Sequence, residues 1–136
     1  MKYYLDTCIW RDYFENRTDK FRPLGDWALR LINKIIEENC IFLYSETTLT
    51  ELKELYSEKE IQNMFDIVPQ TLVIKVECSE KQFRDAVMFS KQFKIPCKDA
   101  IHAVLARDNG AVLVSRDKHF FELQFHVIIK KPEELI

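Results

Sequence analysis

Four carboxylates stand where a folded chain can use them for chemistry. Asp6 directly follows the apolar run Tyr3-Tyr4-Leu5, and Asp117 lies just past a second run, Ala111-Val112-Leu113-Val114, after Ser115. Glu51 falls early in a helical-period segment that follows Ile41-Phe42-Leu43-Tyr44, and Asp99 opens another such segment after Pro96. Carboxylate oxygens are the donors that hard divalent ions select, and a positioned acid also serves as a general base. Each of the four has a structural explanation as well. Asp6 and Asp117 suit the N-cap of the helix that follows. Thr48-Leu49-Thr50-Glu51 fits a capping box, and Asp99 complements a helix dipole. Taken singly, capping is the simpler account of any of them.

The elements that must position these side chains alternate in kind. Short β-rich runs are separated by longer segments of 3.6-residue period, the order expected of parallel strands joined by helical crossovers, so the fold class is α/β. The strands are Tyr3 to Leu5, Ile41 to Tyr44, Leu72 to Val76, Ala111 to Val114 and Val127 to Ile129. Helices are expected over Thr7 to Glu15, Trp27 to Glu38, Thr48 to Tyr56, Glu60 to Ile67, Ser79 to about Phe93, Asp99 to Asn109 and, briefly, His119 to Leu123. Arg22 to Gly25 reads as a loop, Pro96 as a helix breaker, and Gly110 as a left-handed cap. Trp10, Tyr13 and Phe14 form a stripe best read as core. In open parallel sheets the working site lies beyond the carboxyl ends of the strands, where Asp6 and Asp117 fall.

Bulk properties narrow the class. The chain has 136 residues, 47% of them hydrophobic and 31% charged, the balance of one globular domain over residues 1–136 that buries enough surface to fold without a disulfide. Cys8, Cys40, Cys78 and Cys97 form no C-x-x-C pair and are read as buried thiols. Neither a signal-peptide core nor an apolar run of membrane-span length is present, so the expected location is cytoplasmic, without a membrane partner. A net charge of −2 disfavours a binder that works through phosphate neutralisation, although a bound divalent ion reverses the local field.

Order and local wording bind the four acids together. Tyr4-Leu5-Asp6-Thr7-Cys8, Thr48-Leu49-Thr50-Glu51-Leu52, Lys98-Asp99-Ala100-Ile101-His102-Ala103 and Val114-Ser115-Arg116-Asp117-Lys118-His119-Phe120 resemble the four acidic motifs of PIN-domain nucleases, and within them the VapC-type toxins of toxin–antitoxin pairs. The resemblance spans essentially the whole chain. It implies a three-layer α/β/α fold with a central parallel sheet in the order 3-2-1-4-5. It also implies that Asp6, Glu51, Asp99 and Asp117 converge on one catalytic pocket holding Mg²⁺ or Mn²⁺. Asp6, Asp99 and Asp117 are then the metal ligands, with Glu51 a ligand or a water-positioning base. The implied reaction is hydrolysis of RNA to a 5′-phosphate and a 3′-hydroxyl; the implied partners are a small antitoxin and a second copy of the chain.

Around these acids, Thr7 and Ser115 are similar to family positions that hydrogen-bond a metal-bound carboxylate or water, with local capping as the alternative. Arg116 and Lys118 flank Asp117 and are candidates to meet RNA phosphates, although an alternating charged loop is more often a solvated surface. His102 follows Asp99 by three residues and His119 follows Asp117 by two, so either can approach the pocket, but three irregularly spaced histidines make no zinc site, and neither is expected to be a ligand. A haloacid-dehalogenase-like phosphatase needs an acid where Cys8 stands, a response-regulator receiver needs an acidic pair before its first strand ends, and a nucleotide-binding protein wants a glycine-rich loop, whereas the only glycines are Gly25 and Gly110. Two rivals remain: an RNA-processing nuclease without an antitoxin, and a PIN-like module that binds RNA or protein without cleaving.

Overall fold

A computed structural model describes residues 1–136. Five short strands carry β-branched and aromatic residues: β1 (Lys2–Leu5), β2 (Ile41–Ser45), β3 (Val73–Val76), β4 (Val112–Val114) and β5 (Ile129–Lys130). Every pairing is parallel and the order is β3-β2-β1-β4-β5. The chain runs outward from β1 through β2 to β3, then returns to place β4 on the other side of β1. The gap between β1 and β4 is therefore the topological switch point, where crossovers on opposite faces leave a crevice at the strand ends.

Side-chain alternation along the strands builds a core on each face. Tyr3, Leu5, Phe42, Val112 and Val114 point to one side, where Ile9 and Trp10 of α1 (Thr7–Glu15), Leu31, Ile32 and Ile35 of α2 (Leu24–Glu37), Leu52 of α3 (Glu46–Lys53) and Met64 of α4 (Glu58–Phe65) cover them. Tyr4, Leu43 and Leu113 point to the other, under Ala86 and Phe89 of α5 (Glu80–Phe93), Ala100 and Ala103 to Ala106 of α6 (Cys97–Asp108), and Phe120 and Leu123 of a 3₁₀ turn (Lys118–Leu123). These are the three layers expected.

Local signals set most boundaries. Ser79 Oγ accepts from the Gln82 N–H at 3.1 Å while the Gln82 side chain accepts from Ser79 N–H at 2.9 Å, a reciprocal cap that starts α5. Pro96 stands at the N-cap of α6, and Gly110 follows that helix with φ +62°, the left-handed cap expected. Three expectations are corrected. The loop at Arg22 to Gly25 is shorter, because α2 begins at Leu24 and Gly25 sits in its first turn. The last strand is Ile129–Lys130 rather than Val127 to Ile129, since Val127 turns into the core beside the 3₁₀ turn. The thiols are not uniformly buried: Cys40 is, Cys8 and Cys97 are half-buried, and Cys78 is exposed.

Asp12 accounts for a second fixed feature. It is fully buried and faces Arg17 Nε at 2.8 Å on one oxygen and Arg116 Nε at 3.2 Å on the other. Arg116 also holds Glu133 through both terminal nitrogens at 2.8 Å and lies over the Trp27 ring. A buried carboxylate stripped of such partners costs roughly 3–5 kcal/mol, so this network ties α1, the loop after β4 and the C-terminal turn together.

Gly25 packs its Cα against backbone: a Cβ built there would lie 2.5 Å from Asn16 Cα and 2.7 Å from Asp12 O. Helix propensity alone would make alanine better by about 1 kcal/mol. The clash is with main chain and cannot be relieved by a rotamer change, so Gly25→Ala should instead destabilise by about 1–3 kcal/mol. Urea melts of the two proteins check this; a stabilised variant would show that α1 and α2 do not approach this closely.

Candidate active site

All four acids lie around the switch point. Asp6 is the residue after β1 and caps α1, its Oδ1 accepting from the Thr7 N–H at 2.8 Å. Asp117 follows β4 by way of Ser115 and caps the 3₁₀ turn, accepting from the His119 N–H at 2.9 Å. Both capping roles are therefore real, and both residues still face the crevice. Ser115 joins them: its hydroxyl donates to Asp6 Oδ2 at 2.8 Å and accepts from the Asp117 N–H at 3.0 Å. Asp99, buried in the first turn of α6, and Glu51, in mid-α3, approach from the helices on the two faces of the sheet.

The capping-box explanation of Glu51 fails. Helix α3 begins at Glu46, and it is the Thr48 hydroxyl that accepts from the Ser45 N–H, at 3.2 Å. Glu51 is thus left free to face the site, where its Oε1 accepts from the Thr7 hydroxyl at 3.0 Å and from His102 Nε2 at 2.5 Å. Thr7 holds Glu51 rather than merely closing a turn.

The acids fall into two groups, each with a histidine. Asp6, Glu51 and His102 bring one ligand atom apiece within 4.8 Å of one another, as do Asp99, Asp117 and His119. His102 Nε2 lies 3.8 Å from Asp6 Oδ1, and His119 Nδ1 lies 2.8 Å from Asp99 Oδ2 and 3.1 Å from Asp117 Oδ1. His119 is half exposed; His102 is wholly buried. His102 was open to the pocket in the sequence but had no partner assigned there. The available signal was its place three residues after Asp99, on the same face of a helix whose other buried residues, Ala100 and Ala103 to Ala106, are apolar.

Burial and like charge set the electrostatics. Burial pushes the Asp6 carboxyl above its ordinary range against the opposing pull of His102 and Ser115. Burial likewise raises Asp99, helped by the charges of Asp117 and Asp6, and the hydrogen bond from His119 only partly offsets it. Burial works against ionised Glu51 too, but there the bond and charge of His102 and the bond from Thr7 win, and its pKa is lowered. His102 is correspondingly raised: desolvation disfavours the imidazolium, and Glu51 and Asp6 outweigh it. Glu51 thus acts on Asp6, and Asp6 and Asp117 act on Asp99, which links the two groups electrostatically.

Two flanking residues behave differently from one another. The Arg116 guanidinium is engaged by Asp12 and Glu133, so to contact RNA it would have to give up one of these partners. Lys118 is exposed beside Asp117.

Four carboxylates with few cationic neighbours are a donor set that fits a hard divalent ion, since oxygen ligands and accumulated negative charge are what Mg²⁺ and Mn²⁺ select. Asp6, Asp99 and Asp117 offer aspartate oxygens from both sides of the crevice. In the metal-free protein the same crowding should be a cost. An acid with a raised folded pKa binds more protons when folded, so stability falls as pH rises from the ordinary Asp range through that folded pKa. Asp99→Asn should therefore stabilise the metal-free protein at pH 7 and make little difference at about pH 3, where the acid is protonated in both states. Denaturant melts in chelator at the two pH values measure this; a variant less stable at pH 7 would mean that Asp99 is held for structural reasons.

The fold recurs in known proteins. No curated protein sequence matches the chain significantly. Among solved structures it shares its fold with a chain of VapBC2 from Rickettsia felis, bound to a DNA fragment from the promoter, at TM-score 0.71 and 18% identity over 96% of this chain and 98% of that one. It is also similar to a chain of VapBC-1 from nontypeable Haemophilus influenzae, at TM-score 0.66 and 18% identity over 98% and 99%. A chain of FitAcB from Neisseria gonorrhoeae matches at TM-score 0.64 and 17% identity over 99% and 100%. The family model of the PIN domain covers residues 3–126, and the chain belongs to the PIN-domain family.

Proposed function

We propose that this protein is a Mg²⁺- or Mn²⁺-dependent endoribonuclease, the toxin of a toxin–antitoxin pair. The observation that carries the reading is the pair of acid groups, Asp6 with Glu51 and Asp99 with Asp117, beside the switch point of a PIN-domain chain. Asp6, Asp99 and Asp117 hold the ion. When bound, it supplies positive charge opposite the phosphate and lowers the pKa of water beside it. Ser115 keeps Asp6 and the Asp117 loop in register, and Thr7 orients Glu51. Glu51 accepts the proton of the attacking water as the bond from phosphorus to the 3′ oxygen breaks, and the leaving 3′ oxygen takes a proton from solvent, giving a 5′-phosphate and a 3′-hydroxyl. Lys118 meets the phosphate backbone.

The toxin role rests on similarity to chains from VapBC and FitAB complexes, whose names pair each with a partner. A small antitoxin and a homodimer follow from it. The protein works in the cytoplasm; no helix is long and apolar enough to cross a membrane.

Purified protein should cleave single-stranded or loop RNA with Mg²⁺ or Mn²⁺ and not in chelator. Asp99→Asn should abolish cleavage without unfolding, and Glu51→Gln should lower the rate by about 10²- to 10⁴-fold. Mn²⁺ at a hundredfold its dissociation constant should stabilise wild type by about 2.7 kcal/mol, and Asp99→Asn by less. Equal cleavage with and without metal would sink the mechanism.

Expression should arrest growth unless a partner encoded beside it is co-expressed, and light scattering at micromolar concentration should give the mass of two chains. Unaffected growth would refute the toxin role, and a monodisperse monomer would refute the dimer.

A further inference from the structure

A file of buried polar groups leads inward from Glu51. Beyond the 2.5 Å contact of Glu51 Oε1 with His102 Nε2, the other ring nitrogen, Nδ1, meets the Tyr4 hydroxyl at 2.6 Å. That hydroxyl meets Ser45 Oγ at 2.7 Å and Thr48 Oγ1 at 3.4 Å. Tyr4, His102 and Thr48 expose no surface, and Ser45 exposes 2%. The layer around them is otherwise apolar, built from Leu43, Ala86, Phe89, Ala103, Val104 and Leu113. Polar side chains at such positions cost stability relative to apolar ones of similar volume unless each is hydrogen-bonded. Ser45 and Thr48 are explained by the start of α3, but Tyr4 and His102 cap nothing.

What the pair does follows from its geometry. An ionised carboxylate only accepts, so Nε2 carries the proton given to Glu51, and a ring engaged at both nitrogens cannot turn. Oε1 thus receives two donors, Thr7 and His102, and the other oxygen, Oε2, makes no protein hydrogen bond. An oxygen already accepting twice is a poor further donor to an ion or a proton.

Building on the nuclease reading, we infer that His102, backed by Tyr4, is a positioning residue that locks Oε1 of Glu51 and presents Oε2 to the attacking water. Glu51 is on this account the water-orienting base, and the ion belongs to the three aspartates. The same contacts make His102 unable to serve as a ligand.

Glutamine at position 102 keeps an N–H near Nε2, while asparagine reaches only toward Tyr4. His102→Asn should lower kcat roughly 10- to 100-fold with KM unchanged, and His102→Gln should recover most of that loss. Mn²⁺ affinity, read by electron paramagnetic resonance of free Mn²⁺, should match wild type in both variants and fall in Asp99→Asn. Added to Glu51→Gln, His102→Asn should cost nothing more, because the two act through one bond. In the metal-free protein the Nε2 proton should resonate far downfield and vanish in Glu51→Gln. Equal losses for Gln and Asn, additive losses in the double variant, or weakened Mn²⁺ binding would overturn the inference. If His102→Asn does not fold, Thr7→Val removes the other donor to Oε1 and should lower kcat severalfold at constant KM; an unchanged kcat overturns it. Should wild type cleave no RNA at all, the nuclease reading falls, and the downfield proton decides whether the clamp exists.

Discussion

The structure depends on concentrating negative charge at one point in a medium of low dielectric. Asp6 and Asp99 are buried and Glu51 is partly so, all within reach of one another's fields. Unpaired, such charges cost several kcal/mol each in a protein interior. The fold meets that cost locally, with the first turn of α1 and a hydroxyl on Asp6, an imidazole on Glu51, and another on Asp99 and Asp117. The residual excess of carboxylate oxygen is what makes the crevice suited to a divalent ion.

The parallel sheet makes that concentration possible. Because β1 and β4 are adjacent and parallel, the residues after both strands emerge at the same edge, and the crossovers bring α3 and α6 in from opposite faces. No two of the four acids are neighbours in sequence. Their proximity is a property of topology, and the Arg116 network with Asp12 and Glu133 keeps the most exposed of their loops in place. Arg116, on one side of Asp117, thus serves stability, while Lys118, on the other, faces solvent.

Capping and a place beside the crevice coincide at Asp6 and Asp117 for a physical reason. Residues at the ends of parallel strands lead into the next helical turn, so a carboxylate there accepts a backbone N–H while it lies at the sheet edge where the crevice forms. Weighing one role against the other at these positions sets up a false choice. At Glu51 the choice was genuine, and only the true start of α3, at Glu46, excluded the cap.

From the chain alone the alternation of periods determined an α/β fold, and the motif order pointed to a PIN sheet in the order 3-2-1-4-5 with four acids at one pocket; strong local signals such as Pro96, Gly110 and the Ser79 cap placed helix ends closely. Where a boundary depended on packing, local pattern failed: Gly25 looked like a loop residue but lies in α2, because the close approach of Asn16 and not a turn is what requires glycine there. Burial of individual groups was equally out of reach. Arg116 read as a surface charge until Asp12 and Glu133, 104 and 17 positions away, were seen to hold it. His102 read as a residue able to approach the pocket but not to be a ligand, and only the tertiary structure set its ring between Tyr4 and Glu51, 98 and 51 positions distant. Periodicity and motif reflect local sterics and chemistry, whereas a buried hydrogen bond between distant segments exists only once the sheet has brought them together.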